Sequence, residues 1–258
     1  MTSPNAGSSL RARLASAGLD WIVPDWPAPP QVCALSTTRR GRAGERFDLT
    51  RSDPRFESAR SELRRWLPAD PMWLAQVHGI AIFDANATSA SWRRNLPEAD
   101  GAIARAPDTV CVVHSADCLS VLLTDARGSV VAAAHAGWRG LAAGVLEAAL
   151  ASMRTPPATV LAWLGPAIGP QAFEVGADVL AAHCADDPDA LQCFSPHRPG
   201  KWLADLYALA RRRLERAGVV AIHGGGRCTL SEPETFYSYR REGVAAGRMA
   251  TLIWIATV

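Results

Sequence analysis

Leu119-Ser120-Val121-Leu122-Leu123-Thr124 and Ser129-Val130-Val131-Ala132-Ala133-Ala134 are two short apolar runs joined by Asp125-Ala126-Arg127-Gly128. Apolar runs separated by a tight turn of this composition read as a β-hairpin. His135-Ala136-Gly137-Trp138-Arg139-Gly140 follows directly, and Leu141, Val145, Leu146, Ala149, Leu150 and Met153 then recur at helical spacing. That spacing predicts a helix from Arg139 to about Arg154. A hairpin feeding a helix, without regular strand–helix–strand alternation, points to an α+β fold with mixed sheets.

On both sides of this segment the pattern continues. Trp21–Val23, Val32–Thr37, Met72–Val77, Ile80–Phe83, Ala102–Ala104, Val110–Val113, Val160–Leu164, Val219–Ile222 and Ala250–Ile255 read as strands. Helices are expected over Asp53–Leu67, opened by Pro54 and closed by Pro68, and over Ala204–Ala217, stopped by Gly218. Residues 1–19 are polar and small; a flexible arm is expected there, with one weak helix as the alternative, and residues 20–258 form a single domain.

With 258 residues, the chain can bury a core without disulfide or metal staples. Charged residues make up 20% and mean hydropathy is +0.01, which excludes wholesale disorder. A net charge of +2 is too mild for a nucleic-acid protein. No apolar run approaches the ~20 residues of a membrane span, and Met1 to Leu19 has no leader-like apolar region. A cytoplasmic protein is expected, with neither nucleic acid nor membrane as partner. Its six scattered cysteines, lacking a Cys-x-x-Cys pair, then read as buried thiols with a ligand or nucleophile among them.

Three residues could carry chemistry together. His78, Cys118 and His135 supply two imidazoles and a thiolate, a donor set suited to zinc or copper, and three protein ligands leave a catalytic position open. Their spacing forms no local motif, so only the fold can unite them. The same residues admit a metal-free reading, with Cys118 as nucleophile, His135 as its base and Asp117 orienting the histidine or polarising water. Each also has an ordinary structural role open to it, as a hydrogen-bonded histidine or a small buried thiol. The glycines around Arg139 would let backbone N–H groups approach an anion. Aromatic and arginine residues are combined over Glu234–Arg241, which reads either as a stacking platform or as a half-buried strand. Six histidines are too few to fill several copper centres.

Taken together, Ala116-Asp117-Cys118, His135-Ala136-Gly137-Trp138-Arg139-Gly140, Gly165-Pro166-Ala167-Ile168-Gly169 and Phe236-Tyr237-Ser238-Tyr239-Arg240 resemble the YfiH-like family of laccase-domain or polyphenol oxidase proteins. Gln76-Val77-His78-Gly79, Thr37-Thr38-Arg39 and Gly247-Arg248-Met249 add to the resemblance, in the family's order from about residue 20 onward. It implies a one-domain fold related to cysteine hydrolases of the deamidase type. It also implies a zinc held by His78, Cys118 and His135, and phosphorolysis of adenosine, inosine and methylthioadenosine with adenosine deamination beside it. Copper accompanies the family's older oxidase label, and some bacterial members are associated with removing wrong amino acids from cell-wall precursors. The chain departs from the pattern in a shortened loop ending at Asp48-Leu49-Thr50, in Ser120 where proline is usual, and in Gln171 where cysteine is common.

The expected substrates are thus a purine nucleoside and phosphate. Arg39, Arg139, Arg240 and Arg241 are the expected phosphate ligands, Gln76 a substrate contact and Asp117 a proton carrier. Non-catalytic zinc binding, amide hydrolysis through Cys118 and copper oxidation are the competing readings.

Overall fold

The hairpin forms where the two apolar runs and their turn place it. Strands are numbered along the chain: β5 (Leu119–Asp125) and β6 (Val131–Ala136) pair antiparallel, with Leu122 opposite Ala133. Asp125 closes the turn, accepting from Ser129 N at 2.7 Å and from the Ser129 hydroxyl at 2.7 Å. Gly128 adopts φ +65°, a conformation that glycine enters without steric cost. Around this hairpin β2 (Ile82–Asp84), β3 (Gly101–Ala104), β7 (Val160–Leu164) and β11 (Ala221–Gly224) complete a six-stranded sheet in the order β11-β7-β5-β6-β3-β2. Its outer pairs are parallel and its inner pairs antiparallel, which bears out the mixed sheet.

This computed structural model describes residues 6–86 and 96–257. A second sheet, β1 (Val32–Ser36), β12 (Met249–Ile255) and β4 (Cys111–Ser115), is antiparallel throughout. Period-two alternation assigns its faces. Ile253, Ile255, Cys111 and Val113 pack with Leu122, Val131 and Ala133 between the sheets. Ala250, Leu252, Trp254 and Val112 face the other way, onto α1 (Ala6–Ser16) and α2 (Phe56–Arg64). On the far side of the large sheet, Leu119, Val121 and Leu123 meet α4 (Val145–Met153) and α6 (Leu206–Arg216). The result is a single α/β domain of four layers: helix, sheet, sheet, helix.

Four expectations need correction. Helix α1 carries Leu10 and Leu14 into the core, so the expected arm is in large part a packed helix. Gly144, at φ +102°, breaks the helix foreseen from Arg139 into α3 (Trp138–Ala143) and α4, because a left-handed residue ends one helical run and starts another. Trp21–Val23 and Met72–Val77 contribute isolated bridges, Ile22 to Ser36 and Met72 to Cys111, rather than strands. Over Glu234–Arg241 no strand forms: Phe236 and Tyr237 are buried, and Ser238 caps the single helical turn α7 (Tyr239–Glu242). A small sheet went unforeseen, β8 (Glu174–Val175), β10 (Lys201–Ala204) and β9 (Phe194–Arg198), with α5 (Ala177–Cys184) inserted between β8 and β9.

Candidate metal centre

Asp100, just before β3, is fully buried and organises the site. Its Oδ1 accepts from His78 N at 2.9 Å, and its Oδ2 accepts from Val77 N at 3.1 Å and Gly79 N at 2.7 Å. Three converging N–H donors hold His78 at φ +62°, a conformation that β-carbon crowding disfavours. The same Oδ1 lies 2.8 Å from His135 Nδ1, on β6. One carboxylate therefore positions both histidines and leaves Nε2 of His135 free as a ligand, the carboxylate–histidine arrangement that supports metal sites. The proximity of His135 and the backbone donors outweighs burial and keeps the Asp100 carboxyl below its ordinary value.

Cys118 arrives from the turn between β4 and β5, where Asp117 is also left-handed at φ +87°. The Asp117 side chain accepts from the Thr229 hydroxyl at 2.5 Å, the Ser238 hydroxyl at 3.0 Å and Arg240 N at 2.6 Å. Its carbonyl accepts from Ile168 N at 2.9 Å. Both carboxylate oxygens are thus committed to protein donors, and the residue clamps three distant segments behind Cys118. The orienting carboxylate expected at Asp117 is Asp100 instead.

Cys118 Sγ lies 3.8 Å from His78 Nε2, and the two histidine rings are 4.8 Å apart, edge to face. Donor atoms from His78, Cys118 and His135 all fall within 4.8 Å of one another. Burial alone would push the Cys118 thiol up, but the adjoining imidazoles outweigh it and bring the thiol down. Burial would lower His135, yet Cys118 and Asp100 raise it. Each of the two thus favours the charged form of the other. Two imidazoles and a thiolate on an accessible side fit a four-coordinate zinc with an open position.

Gly137 and Gly140 have a packing role. A β-carbon at Gly137 would meet His78 Cδ2 at 2.9 Å and Cys118 Sγ at 3.0 Å, and one at Gly140 would meet the Gly79 carbonyl at 2.7 Å. The glycines let α3 approach the ligand turn. At six residues, α3 is too short to serve as the anion-binding helix expected from them.

The three donor residues open into a cleft of about 770 Å³. Its walls include Leu49–Ser52, Leu74, Trp138, Ile168, Phe173, Leu206 and Tyr239. That volume and mixture suit a small polar aromatic ligand. Of the four arginines singled out from the sequence, Arg139 and Arg240 line it, whereas Arg39 and Arg241 do not. Arg39 donates to Pro233 O at 2.6 Å and Glu242 at 3.2 Å, and Arg241 to the carbonyls of Thr229, Leu230 and Phe236. Both are tied into the 229–242 segment. Gln76 touches the cleft, but its amide is paired with His114, donating to its carbonyl at 2.9 Å and accepting from its N–H at 2.7 Å. Arg51 and Arg248 also line the cleft and were missed, since 26 of the 27 basic residues are arginine and their spacing singles out none. Asp100 was missed because an acid before a short strand looks like any turn residue.

Known proteins share this chain's sequence and fold. The family described as multi-copper polyphenol oxidoreductase laccase matches residues 51–256. A Pseudomonas aeruginosa protein named purine nucleoside phosphorylase is 46% identical, over 91% of this chain and 98% of its own. Purine nucleoside phosphorylase YfiH of Escherichia coli is 44% identical over the same shares. The chain belongs to the YfiH-like, laccase-domain family. A solved structure from Neisseria meningitidis superposes with a TM-score of 0.85 at 43% identity, covering 92% of this chain and all of that one. That fold is therefore shared over most of the chain. No helix among them is long and apolar enough to cross a membrane.

Proposed function

We propose that the protein is a zinc-dependent purine nucleoside phosphorylase acting on adenosine, inosine and methylthioadenosine, with adenosine deamination as a second use of the site. The observation that carries this reading is the three-donor cluster of His78, Cys118 and His135 opening into an arginine-bearing cleft with aromatic walls. Relatives at 44–46% identity bear the phosphorylase name. The family's other description names several coppers, but all six histidines lie among the described residues and only one cluster of three donors occurs there.

In phosphorolysis a phosphate oxygen bonds to ribose C1′ as the C1′–N9 bond breaks. The electron pair leaves on the purine, which takes up a proton, and ribose 1-phosphate forms. In deamination, adenosine and water give inosine and ammonia. A bound zinc supplies Lewis-acid polarisation of a substrate atom. The chain's own residues do the rest. Asp100 fixes both imidazoles, Asp117 holds the Cys118 turn against the 229–240 segment, the aromatic walls contact the base, and arginines balance phosphate charge. Six free thiols suit a reducing cytoplasm.

Metal-quantified protein incubated with adenosine, with and without phosphate, provides the test. Phosphate-dependent release of adenine that tracks zinc content is expected. Inosine formed without phosphate reports the deaminase. No turnover at full zinc loading would sink both reactions. A second reading has an observation of its own: Cys118, His135 and Asp100 lie in the order nucleophile, base and orienting acid. Amide hydrolysis, for instance of cell-wall precursors, that survives complete metal removal would favour it.

A further inference from the structure

Four arginines line the cleft, and their guanidinium groups are engaged differently. Arg139 lies 4.4 Å from the Trp138 ring, and Arg240 covers Phe173 at 5.5 Å while donating to Glu174 O at 3.0 Å. These two accompany the aromatic walls. Arg248 sits two residues before Ala250, the register partner of His114 across β12 and β4. It is anchored by its own backbone N–H to Asp48 Oδ1 at 3.0 Å and by Nη1 to Ala246 O at 2.6 Å. Arg51 lies over Phe56 at 5.6 Å, and its side chain makes no hydrogen bond among the described residues.

His114 lines the same cleft as these two arginines. Its ring stacks on Trp73 at 4.7 Å and 16°, and its buried Nε2 has no hydrogen-bond partner. Burial first, then the charges of Arg248 and Arg51, hold the imidazole down at about 3, so it adds no positive charge of its own. The neighbouring carboxylate, Asp48, is already taken up by Arg46, Thr50 and the Arg248 N–H. Two arginines and a residue with an unsatisfied ring nitrogen therefore line the same cleft, with the nearby acid otherwise committed. A tetrahedral dianion answers that arrangement, because guanidinium groups form paired, charge-assisted bonds to phosphate oxygens.

We propose that Arg51 and Arg248, together with His114 Nε2, form the orthophosphate subsite of the cleft, and that Arg139 and Arg240 serve the nucleoside side. This rests on the phosphorylase reading. The assignment replaces the four arginines expected from the sequence with Arg51 and Arg248, of which Arg248 stands in the Gly247-Arg248-Met249 motif.

The experiment titrates zinc-loaded protein with inorganic phosphate, and separately with adenosine, by calorimetry. Arg51→Gln and Arg248→Gln are each expected to weaken orthophosphate binding by about tenfold or more while leaving adenosine affinity within about twofold. Arg248→Lys should recover part of the loss. Arg51 is exposed and its side chain makes no hydrogen bond among the described residues, so beyond its contact with Phe56 its replacement leaves the packing intact. Phosphate binding lost in Arg139→Gln or Arg240→Gln but retained in Arg51→Gln and Arg248→Gln overturns the subsite. A parallel loss of adenosine affinity overturns it as well. An AMP arm separates free phosphate from a nucleotide's own phosphate: sensitivity confined to AMP overturns the orthophosphate assignment. If the unaltered protein binds adenosine but no orthophosphate, the phosphorylase reading falls together with the subsite. If it binds both and the Arg51 and Arg248 variants match it, the subsite falls alone.

Discussion

Asp100 bears on both histidines at once, so its removal tests the site more sharply than removal of a ligand. An asparagine keeps one acceptor oxygen but points an NH2 group at N–H donors that now meet a carboxylate oxygen. Asp100→Asn is expected to weaken zinc affinity by roughly 10–100-fold, as for other partners of ligating histidines; competition with a chromogenic chelator measures it. Unchanged zinc affinity would show that Asp100 supports the turn alone. Cys118→Ala should abolish zinc binding and turnover while far-ultraviolet circular dichroism stays unchanged, because a core of this size does not depend on one metal. Cys193→Ala serves as the control and should keep both. Equal losses in the two variants would mean that general destabilisation had been mistaken for chemistry.

At the scale of elements, the break between α3 and α4 is a backbone event. Gly144 at φ +102° donates its N–H to Gly140 O at 3.0 Å and Leu141 O at 3.3 Å, closing one helix as the next begins. A side chain there is strained whatever the space around it. Gly144→Ala is expected to cost about 1–2 kcal/mol in urea unfolding; no change in midpoint would deny the strain. A second element-level contact gives a pH signature. Asp187 receives Arg212 and, at 2.8 Å, Arg216, tying α6 to the segment after α5. Its hydrogen bonds to Arg212 hold its carboxyl down at about 2, against an ordinary 3.8. A depressed acid contributes stability above its unfolded value and loses it as pH falls through the folded one. Asp187→Asn should therefore lower Tm at pH 7, and the gap to the unaltered protein should close as pH falls from about 4 to 2. A gap that stays constant through that window would remove the ion pair as its cause.

For the molecule as a whole, legibility followed the range of the physics involved. The hairpin of β5 and β6, the strand β7 and the helix α6 were readable because apolar runs bounded by turn residues and the 3.6-residue helical period are local properties. The same holds for the mixed character of the sheets. The joining of His78, Cys118 and His135 was not local, and residue spacing alone left it open; only several motifs taken in order pointed to it. Asp100 stayed hidden because its importance lies in four donors brought together from β6 and the 77–79 turn. Among the arginines, Arg39 and Arg241 looked equal to Arg139 and Arg240 until folding turned the first pair inward onto backbone carbonyls. The N-terminal segment failed for another reason. Leu10 and Leu14 are four residues apart among arginines, serines and alanines, too thin a stripe to announce a buried helix. Yet both are almost wholly buried, in one cluster with Leu35, Phe47 and Leu63, so α1 forms part of the outer layer of the fold. Leu14→Ala is accordingly expected to cost about 2–5 kcal/mol in chemical denaturation, as for a leucine in a closed core. An arm that merely rests on the surface would lose less than about 0.5 kcal/mol. Hydrogen exchange separates the two independently, since a packed α1 protects its amides to nearly the level of α2, whereas a frayed one exchanges at once.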